Sequence, residues 1–498
     1  MKKTSEKNYA KSTNKLLKGV IISGAVLLTL GAVGSITAGI LAARRESALN
    51  KVYSVSFGDS VKGKRADDAV GMVAGINGEK NNFDKAFPWR DIKSVKDEAG
   101  NEFVQIPKFY QRIDVNENGA KLSVAARMHK GFEVAPAFIQ GDKELDYIQI
   151  GKYEAAVDSK TGSLLSKPGL MPETSGHTLD QYREMAEKDG NQLFDWRANQ
   201  ALQLLFAVEF ATLDSQSIMA GETQYVSYVH ELTAAEIAEG TIKTFEVTQD
   251  DACLIDSETK MEEFIKVNNE KKHVEVSMSH SAADENDEAF DVTLSELSLA
   301  SYKIEDSDLA EVTLQKPLDI SKMAEDETIS VNFGSYSYHK TGASVGRKGS
   351  SNGASQKSLE VTAMNYRGVE NWYGNTYTWC DGLATYQDDQ DSKFLCVSFD
   401  ALQNGNRESY ERIDVTELES VQGLFEKGLF FLHFDYTDEI DFAYDYYSLG
   451  FASEAYRIGF VGGGYINSAD AGAFYLNVDY GVSYASYSVR LSCIPQAR

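Results

Sequence analysis

The 498-residue sequence predicts an α+β body with much irregular loop, a mostly β insertion, and an N-terminal transmembrane helix. Three observations carry this. Short alternating stretches mix with two helical patterns over residues 50–215. An acidic, alternating stretch without Trp or Gly-rich turns occupies 222–335. An uninterrupted uncharged run spans Gly19 to Ala43.

The uncharged run has 25 residues, enough at 1.5 Å per residue to cross a hydrocarbon core of about 30 Å. Six lysines precede it (the basic tail 1–18), and Arg44-Arg45 follow. That asymmetry favours a cytoplasmic N-terminus and an exported body. A cleaved signal peptide would have a shorter apolar core ending in a small-residue site. An uncleaved single-pass anchor over 19–43 is therefore the preferred expectation, with secretion after cleavage, or a virion, as alternatives.

Charge divides along the same line. Residues 1–50 balance at +6, so the remainder holds −32 of the total −26. That balance argues against non-specific binding to nucleic acid, which depends on clustered cations facing phosphates. At 42% hydrophobic with four Cys, the chain is neither disordered nor a disulfide scaffold.

In the first part of the body, 50–221, Phe103-Val104-Gln105-Ile106 and Tyr147-Ile148-Gln149-Ile150 read as strands. Leu179–Lys188 and Trp196–Leu213 read as helices. The second sets Leu202, Leu205, Phe206 and Phe210 on one face, as for a helix lying against a core. In the 222–335 insertion, Val274-Glu275-Val276 and Phe290-Asp291-Val292 alternate, and 284–288 reads as an exposed acidic loop. Lys340–Lys357 reads as a flexible Gly/Ser loop, and the aromatic, glycine-rich second part runs through 336–498.

A series of phrases then appears in order: Val104–Tyr110, Ala135–Phe138, Ile150–Glu154, Gln203–Thr212, Tyr366–Asn375, Trp379–Gly382, Gly462–Tyr465, Ala471–Asn477 and Arg490-Leu491. The series resembles the C-type-lectin-like, formylglycine-generating-enzyme-like fold of phage tail receptor-binding proteins. It is also similar to the variable proteins of diversity-generating retroelements. The resemblance covers about 85–220 and 360–493. It implies a structural frame of Arg367, Gly368, Glu370, Asn371, Trp372, Gly374, Asn375, Trp379, Asp381, Gly382, Gly472, Phe474 and Arg490. Trp372, Trp379 and Phe474 would anchor the core, and Arg367, Glu370 and Asp381 would be partly buried polar groups needing partners.

The resemblance also implies a variable-type region at about 460–490, with contact residues Tyr465, Ile466, Asn467, Asp470, Asp479, Tyr480, Tyr484, Ser486 and Tyr487. These types are reachable by adenine mutagenesis of an Asn codon. They also suit binding in their own right: Tyr gives broad amphipathic contact at low entropy cost, and Ser, Asn and Asp give adaptable hydrogen bonds. Five of the 26 tyrosines (Tyr465, Tyr475, Tyr480, Tyr484, Tyr487) fall within 465–488. Tyr475 is assigned to the core, and Tyr465, where relatives often carry Trp, is open between core and contact. Ser488 and Ser468 depart from glycines usual in relatives.

The implied function is a surface-displayed binder of a protein or cell-surface ligand, not an enzyme and without a cofactor. The alternative is a non-diversified phage tail or adhesin-like receptor-binding protein. A formylglycine-generating-type oxidase ranks third, because copper chemistry needs paired thiolates. Only Cys493 of Cys253, Cys380, Cys396 and Cys493 lies near the end. Four cysteines leave three full pairings open, beside free buried thiols. The seven histidines form no metal motif, and no GxSxG elbow is present. Asp388, Asp389 and Asp391 could hold a structural Ca²⁺, although a solvated loop fits the spacing better.

Overall fold

The computed structural model describes residues 42–493 apart from 59, 117–118, 175–176, 220, 222–224, 250–273, 281–289, 295–298, 305–308, 326, 335–337, 343–351, 359–360, 417–446, 465–466, 468–470 and 479–486. Strands dominate it, which corrects the α+β expectation. Among the described residues the α-helices are 42–49 (α1), Leu179–Glu187 (α2), Trp196–Phe210 (α3) and Ala234–Glu239 (α4). The aromatic C-terminal part departs from expectation for a physical reason. Tyr377–Gln387 is buried along most of its length, so its sequence lacks the alternation that marks a half-exposed strand. Gly353–Ser358 is also a strand, where a flexible loop was expected.

The expected transmembrane run lies outside the described residues except for Ala42 and Ala43, which open α1. Among the described residues, no helix is long and apolar enough to cross a membrane. The acidic loop at 284–288 also lies outside them.

Helix α3 is the axis of the body. Asp195 caps it by accepting a hydrogen bond from the Ala198 amide (2.9 Å), and Ala211 ends it in the left-handed region at φ 56°. All fifteen residues of the helix are buried, not only the face carrying Leu202, Leu205, Phe206 and Phe210. Its core joins side chains from Tyr53 to Val478. Phe206 packs edge-on against Tyr366, Trp372 and Phe474, with ring centroids 5.3, 6.1 and 6.2 Å away. Such pairs add to the area they bury.

Among the described residues, three larger sheets border this core, beside a three-stranded one of Gly353–Ser358, Val361–Tyr366 and Val369–Glu370. One five-stranded sheet orders Lys64–Asp67, Val52–Phe57, Gly119–Ala125, Tyr110–Asn116 and Glu133–Val134. A second orders Gln192–Leu193, Arg490–Cys493, Tyr147–Glu154, Glu102–Pro107 and Lys93–Lys96, so the last described strand lies inside a sheet built by the first half of the chain. The third has Tyr377–Gln387 between Lys393–Val397 and Arg457–Val461, with Tyr487–Ser488 pairing parallel to Tyr377-Thr378.

Residues 225–334 build a separate seven-stranded antiparallel sheet with its own core. Its order is Phe290–Leu294, Val274–His280, Thr328–Gly334, Tyr225–Glu231, Thr241–Gln249, Leu309–Asp319 and Leu299–Ile304. The two edge strands are consecutive in the chain, joined by residues 295–298. A flat seven-stranded sheet is about 29 Å wide at about 4.8 Å per strand. Five Cα steps reach at most about 18 Å. The sheet therefore curls towards a barrel, and Tyr228, Val247, Val276, Val312 and Val331 fill its inside. Pro317 sits where the pairing of Thr241–Gln249 with Leu309–Asp319 shifts register, a place where a missing N–H costs no ladder bond.

Removing the ring of Phe206 leaves a cavity at the centre of the four-aromatic cluster. Phe206→Ala is expected to destabilise the body by about 3–5 kcal/mol in urea unfolding. A loss under about 1 kcal/mol would show that the cluster does not hold the core together.

Candidate functional site

Three buried polar knots hold the frame residues, and each joins segments far apart in sequence. The first centres on Glu209 near the end of α3, fully buried. Its carboxylate accepts from Asn81 Nδ2 (2.7 Å), Asn352 Nδ2 (2.7 Å), Tyr366 Oη (3.1 Å) and Arg367 Nε (3.0 Å). Arg367 Nη2 also donates to Glu209, and Nη1 donates to Asp84 at 2.7 Å. Arg367 stands at φ 51°, and Gly368 follows at φ 102°, so this turn aims the guanidinium inward. Burial works against the Arg367 charge, but the charge and hydrogen bonds of Glu209 outweigh it and hold the guanidinium above its ordinary range.

The second knot centres on Glu154, also buried. It accepts from Asn371 Nδ2 (3.0 Å), Asn375 Nδ2 (2.6 Å) and Thr376 Oγ1 (2.5 Å). Thr376 Oγ1 in turn meets Ser488 Oγ at 2.5 Å, so this serine ties the returning C-terminal strand to the carboxylate. Arg490 lies beside it, 1% exposed, and donates to the carbonyls of Gly151 (3.0 Å), Glu370 (2.7 Å) and Asn371 (2.8 Å). Burial pulls the Arg490 guanidinium down to about 10, against the opposing charges of Glu154 and Glu370. Glu370 accepts from the Gly342 amide.

The third knot centres on Asp381. Its carboxylate accepts from Arg183 Nε of α2 (3.1 Å) and from the Gly382 amide (2.8 Å), whose φ is 72°. Burial disfavours the Arg183 charge, yet the hydrogen bond and charge of Asp381 raise it above its ordinary range.

The remaining frame residues pack directly. Trp372 donates its indole N–H to Asn199 Oδ1 of α3 (2.8 Å) and stacks on Tyr366. Trp379 and Phe474 are buried, and Trp379 packs edge-on against Phe460. Gly374 and Gly472 donate to the Gly462 carbonyl at 3.2 and 3.1 Å. A Cβ on Gly463 would come within 2.7 Å of Ala471 Cα, so only glycine admits this crossing. Gln203 of α3 donates to the Ala473 carbonyl (2.8 Å), and the Ala473 amide donates to Ser215 Oγ (2.9 Å).

Both ends of each Tyr/Ser/Asp-rich segment are consequently fixed. Residues 465–470 run between Gly464 and Ala471, and 479–486 between Val478 and Tyr487. Gly464, Ala471, Val478 and Ser488 are all buried. Of the expected contact residues, the structure describes Asn467 and the backbone of Tyr487. Asn467 Oδ1 accepts from the Gly464 amide (2.8 Å), which closes a turn on the frame. Tyr465, Ile466, Asp470, Asp479, Tyr480, Tyr484 and Ser486 lie outside the described residues. Tyr475 is buried against Tyr377.

Glu209, Glu154, Gln203 and Arg183 do not stand out in the sequence as functional. The available signal is a lone carboxylate in an apolar run, as in Leu204–Phe210. The acidic turn is self-capped: Asp388 Oδ1 accepts from the Gln390 and Ser392 amides (2.9 and 2.8 Å). Among the described residues, no group of three or more His, Cys, Asp or Glu side chains is arranged to hold a metal ion.

Cys380 and Cys396 are free and buried. Cys396 pairs in register with Ala384, and an irregularity of the strand between Trp379 and Ala384 separates that position from Cys380. Burial pushes the Cys396 thiol up to about 12 and holds that of Cys380 well above its ordinary range. Cys253 lies outside the described residues, and the Cys493 side chain is likewise not described.

The knots and the thiols can each be tested. Glu209→Ala leaves Arg367 buried without its main counter-charge and should cost about 3–5 kcal/mol in urea unfolding, with partial recovery in Glu209→Ala/Arg367→Met. Iodoacetamide should leave Cys380 and Cys396 unlabelled in the native protein and label both in urea, as peptide mass spectrometry would read. Native labelling at a rate near that of free cysteine would contradict their burial.

No protein-family model matches this chain, and no curated protein matches it in sequence.

Proposed function

We propose that this chain is a ligand-binding protein whose contact face is the Tyr/Ser/Asp-rich C-terminal region, presented on a C-type-lectin-like frame. The observation that carries the reading is the fixing of both segments at both ends by buried groups. Gly462, Gly463, Ala471 and Ala473 hold one segment, and Ser488 and Arg490 hold the end of the other. Such anchors give the two segments a fixed base. A rigid base also limits the ordering cost of binding through loops.

Diversification by a retroelement deepens this reading and rests on the residue types at Tyr465, Ile466, Asn467, Asp470, Asp479, Tyr480, Tyr484, Ser486 and Tyr487. Their partner is a protein or cell-surface ligand. Display outside the cell is proposed on the division of charge between residues 1–50 and the acidic remainder.

The test is deep sequencing of the gene's 3′ end across a population, read beside a search for a neighbouring reverse transcriptase and template copy. Substitutions are expected at these nine positions, with Gly463, Ala471, Phe474 and Arg490 constant. A uniform gene without a template copy would remove diversification and leave a receptor-binding protein of fixed specificity. Substitutions spread evenly over frame and segments would overturn the assignment of the face itself.

A further inference from the structure

Four consecutive frame residues meet both bases of the candidate face and both roots of the 225–334 sheet. Tyr373 Oη donates to the Met219 carbonyl (2.7 Å) and lies 3.3 Å from the Ser215 carbonyl, on the stretch that leads into the sheet. The Gly374 amide donates to the Gly462 and Gly463 carbonyls (both 3.2 Å), at the start of the first Tyr/Ser/Asp-rich segment. Asn375 Oδ1 accepts from the His339 amide (2.8 Å), and its Nδ2 donates to the His339 carbonyl (3.2 Å), on the stretch that leaves the sheet. Thr376 Oγ1 meets Ser488 Oγ at the end of the second segment.

Two amide side chains strengthen these ties. Gln216 Nε2 donates to the Ala471 carbonyl (2.6 Å), and its Oε1 accepts from the Gly221 amide (2.9 Å). One side chain thereby joins the far end of the first segment to the entry of the sheet. Asn375 does the same at the exit, since its Nδ2 also donates to Glu154 (2.6 Å), the carboxylate that holds Thr376.

The sheet begins at Tyr225 and ends at Gly334, and these two are register partners. Tyr225 is four residues past Gly221, and Gly334 five before His339. This end of the sheet therefore lies within about 15–18 Å of the tied residues. A standard protein interface covers about 800 Å² a side, roughly 30 Å across. A partner seated on the segments reaches the end of the sheet as well. The strand register sets Ser227, Asn332 and Glu275 in one row there, alternating with the core residues Tyr228, Val331 and Val276.

Charge identifies the kind of partner. Residues 225–334 hold 26 Asp and Glu against 8 Lys and no Arg. Residues 458–489 hold Asp470 and Asp479 and no Lys or Arg. A contact surface of Lys and Arg is attracted by both parts, and an acidic one is repelled by both.

We propose that the binding surface is composite: the two segments and the adjoining end of the 225–334 sheet form one face, and its partner is a protein with a basic contact surface. This rests on the reading of the segments as the contact face and names what they meet.

Random peptides displayed on phage and panned on the full-length protein are the probe. The dominant peptides should carry net positive charge. Asn332→Lys/Glu275→Lys and, separately, Tyr480→Ala/Tyr484→Ala should each weaken their binding at least about tenfold. Glu79→Lys/Glu133→Lys, a larger change of charge outside the sheet and the segments, should leave it within about twofold. Neutral or acidic dominant peptides would overturn the basic partner, and equal weakening by Glu79→Lys/Glu133→Lys would reduce the attraction to net charge alone. Loss with the tyrosine variant only would overturn the composite surface while leaving the segments as the face. Loss with the sheet variant only, or with neither, would remove the segments too. If the sheet variant fails to fold, hydrogen exchange of the wild-type protein with the tightest peptide decides: protection must appear in both 225–231 and 465–486, and its absence from 225–231 refutes the composite.

Discussion

The buried pair of Glu209 and Arg367 is the contact on which the body depends. It ties the end of the central helix to a turn 158 residues later, and through Asp84 and Asn81 to the first hundred residues. Neither charge would be stable alone at that depth, because an unpaired buried ion costs several kcal/mol. The two segments must therefore arrive together. The apolar core around Phe206 can assemble in many ways, whereas a carboxylate with five donors admits one. Specific geometry thus comes from the polar knots and bulk cohesion from the aromatics.

The same logic runs outward to the candidate face. Glu154 organises Asn371, Asn375 and Thr376, and Thr376 fixes Ser488, where the chain returns from residues 479–486. Arg490 has backbone carbonyls as its described partners, so it depends on the local path of the chain rather than on the identity of any side chain. That suits a position bordering a stretch whose side chains are proposed to change. The arrangement also explains why free thiols are tolerated: Cys380 and Cys396 are packing groups in the walls of the third sheet.

Local periodicity made some elements legible. Alternation at Val104 and Ile106 corresponds to the strand Glu102–Pro107, and the run from Leu179 to the helix α2. It misled where burial is two-sided. Asn199, Gln200 and Gln203 are polar, yet they are buried, with Asn199 and Gln203 bonded to Trp372 and Ala473. Tyr377–Gln387 failed as a strand signal for the related reason that most of it has no wet face. The Glu209, Glu154 and Asp381 knots were illegible because most of their partners lie over a hundred residues away, and spacing carries no information at that range. Curling of the 225–334 sheet was hidden likewise, since it follows from which strands pair and not from any one strand's pattern.

The strand Arg490–Cys493 sits between Gln192–Leu193 and Tyr147–Glu154, and Arg490 reaches a carbonyl 339 residues earlier. During synthesis the central sheet stays open until the ribosome has passed the Tyr/Ser/Asp-rich segments. A premature stop or a frameshift within them removes the strand and leaves Gly151, Glu370 and Asn371 without their shared donor. Closure of the central sheet thereby depends on one four-residue strand being reached in frame.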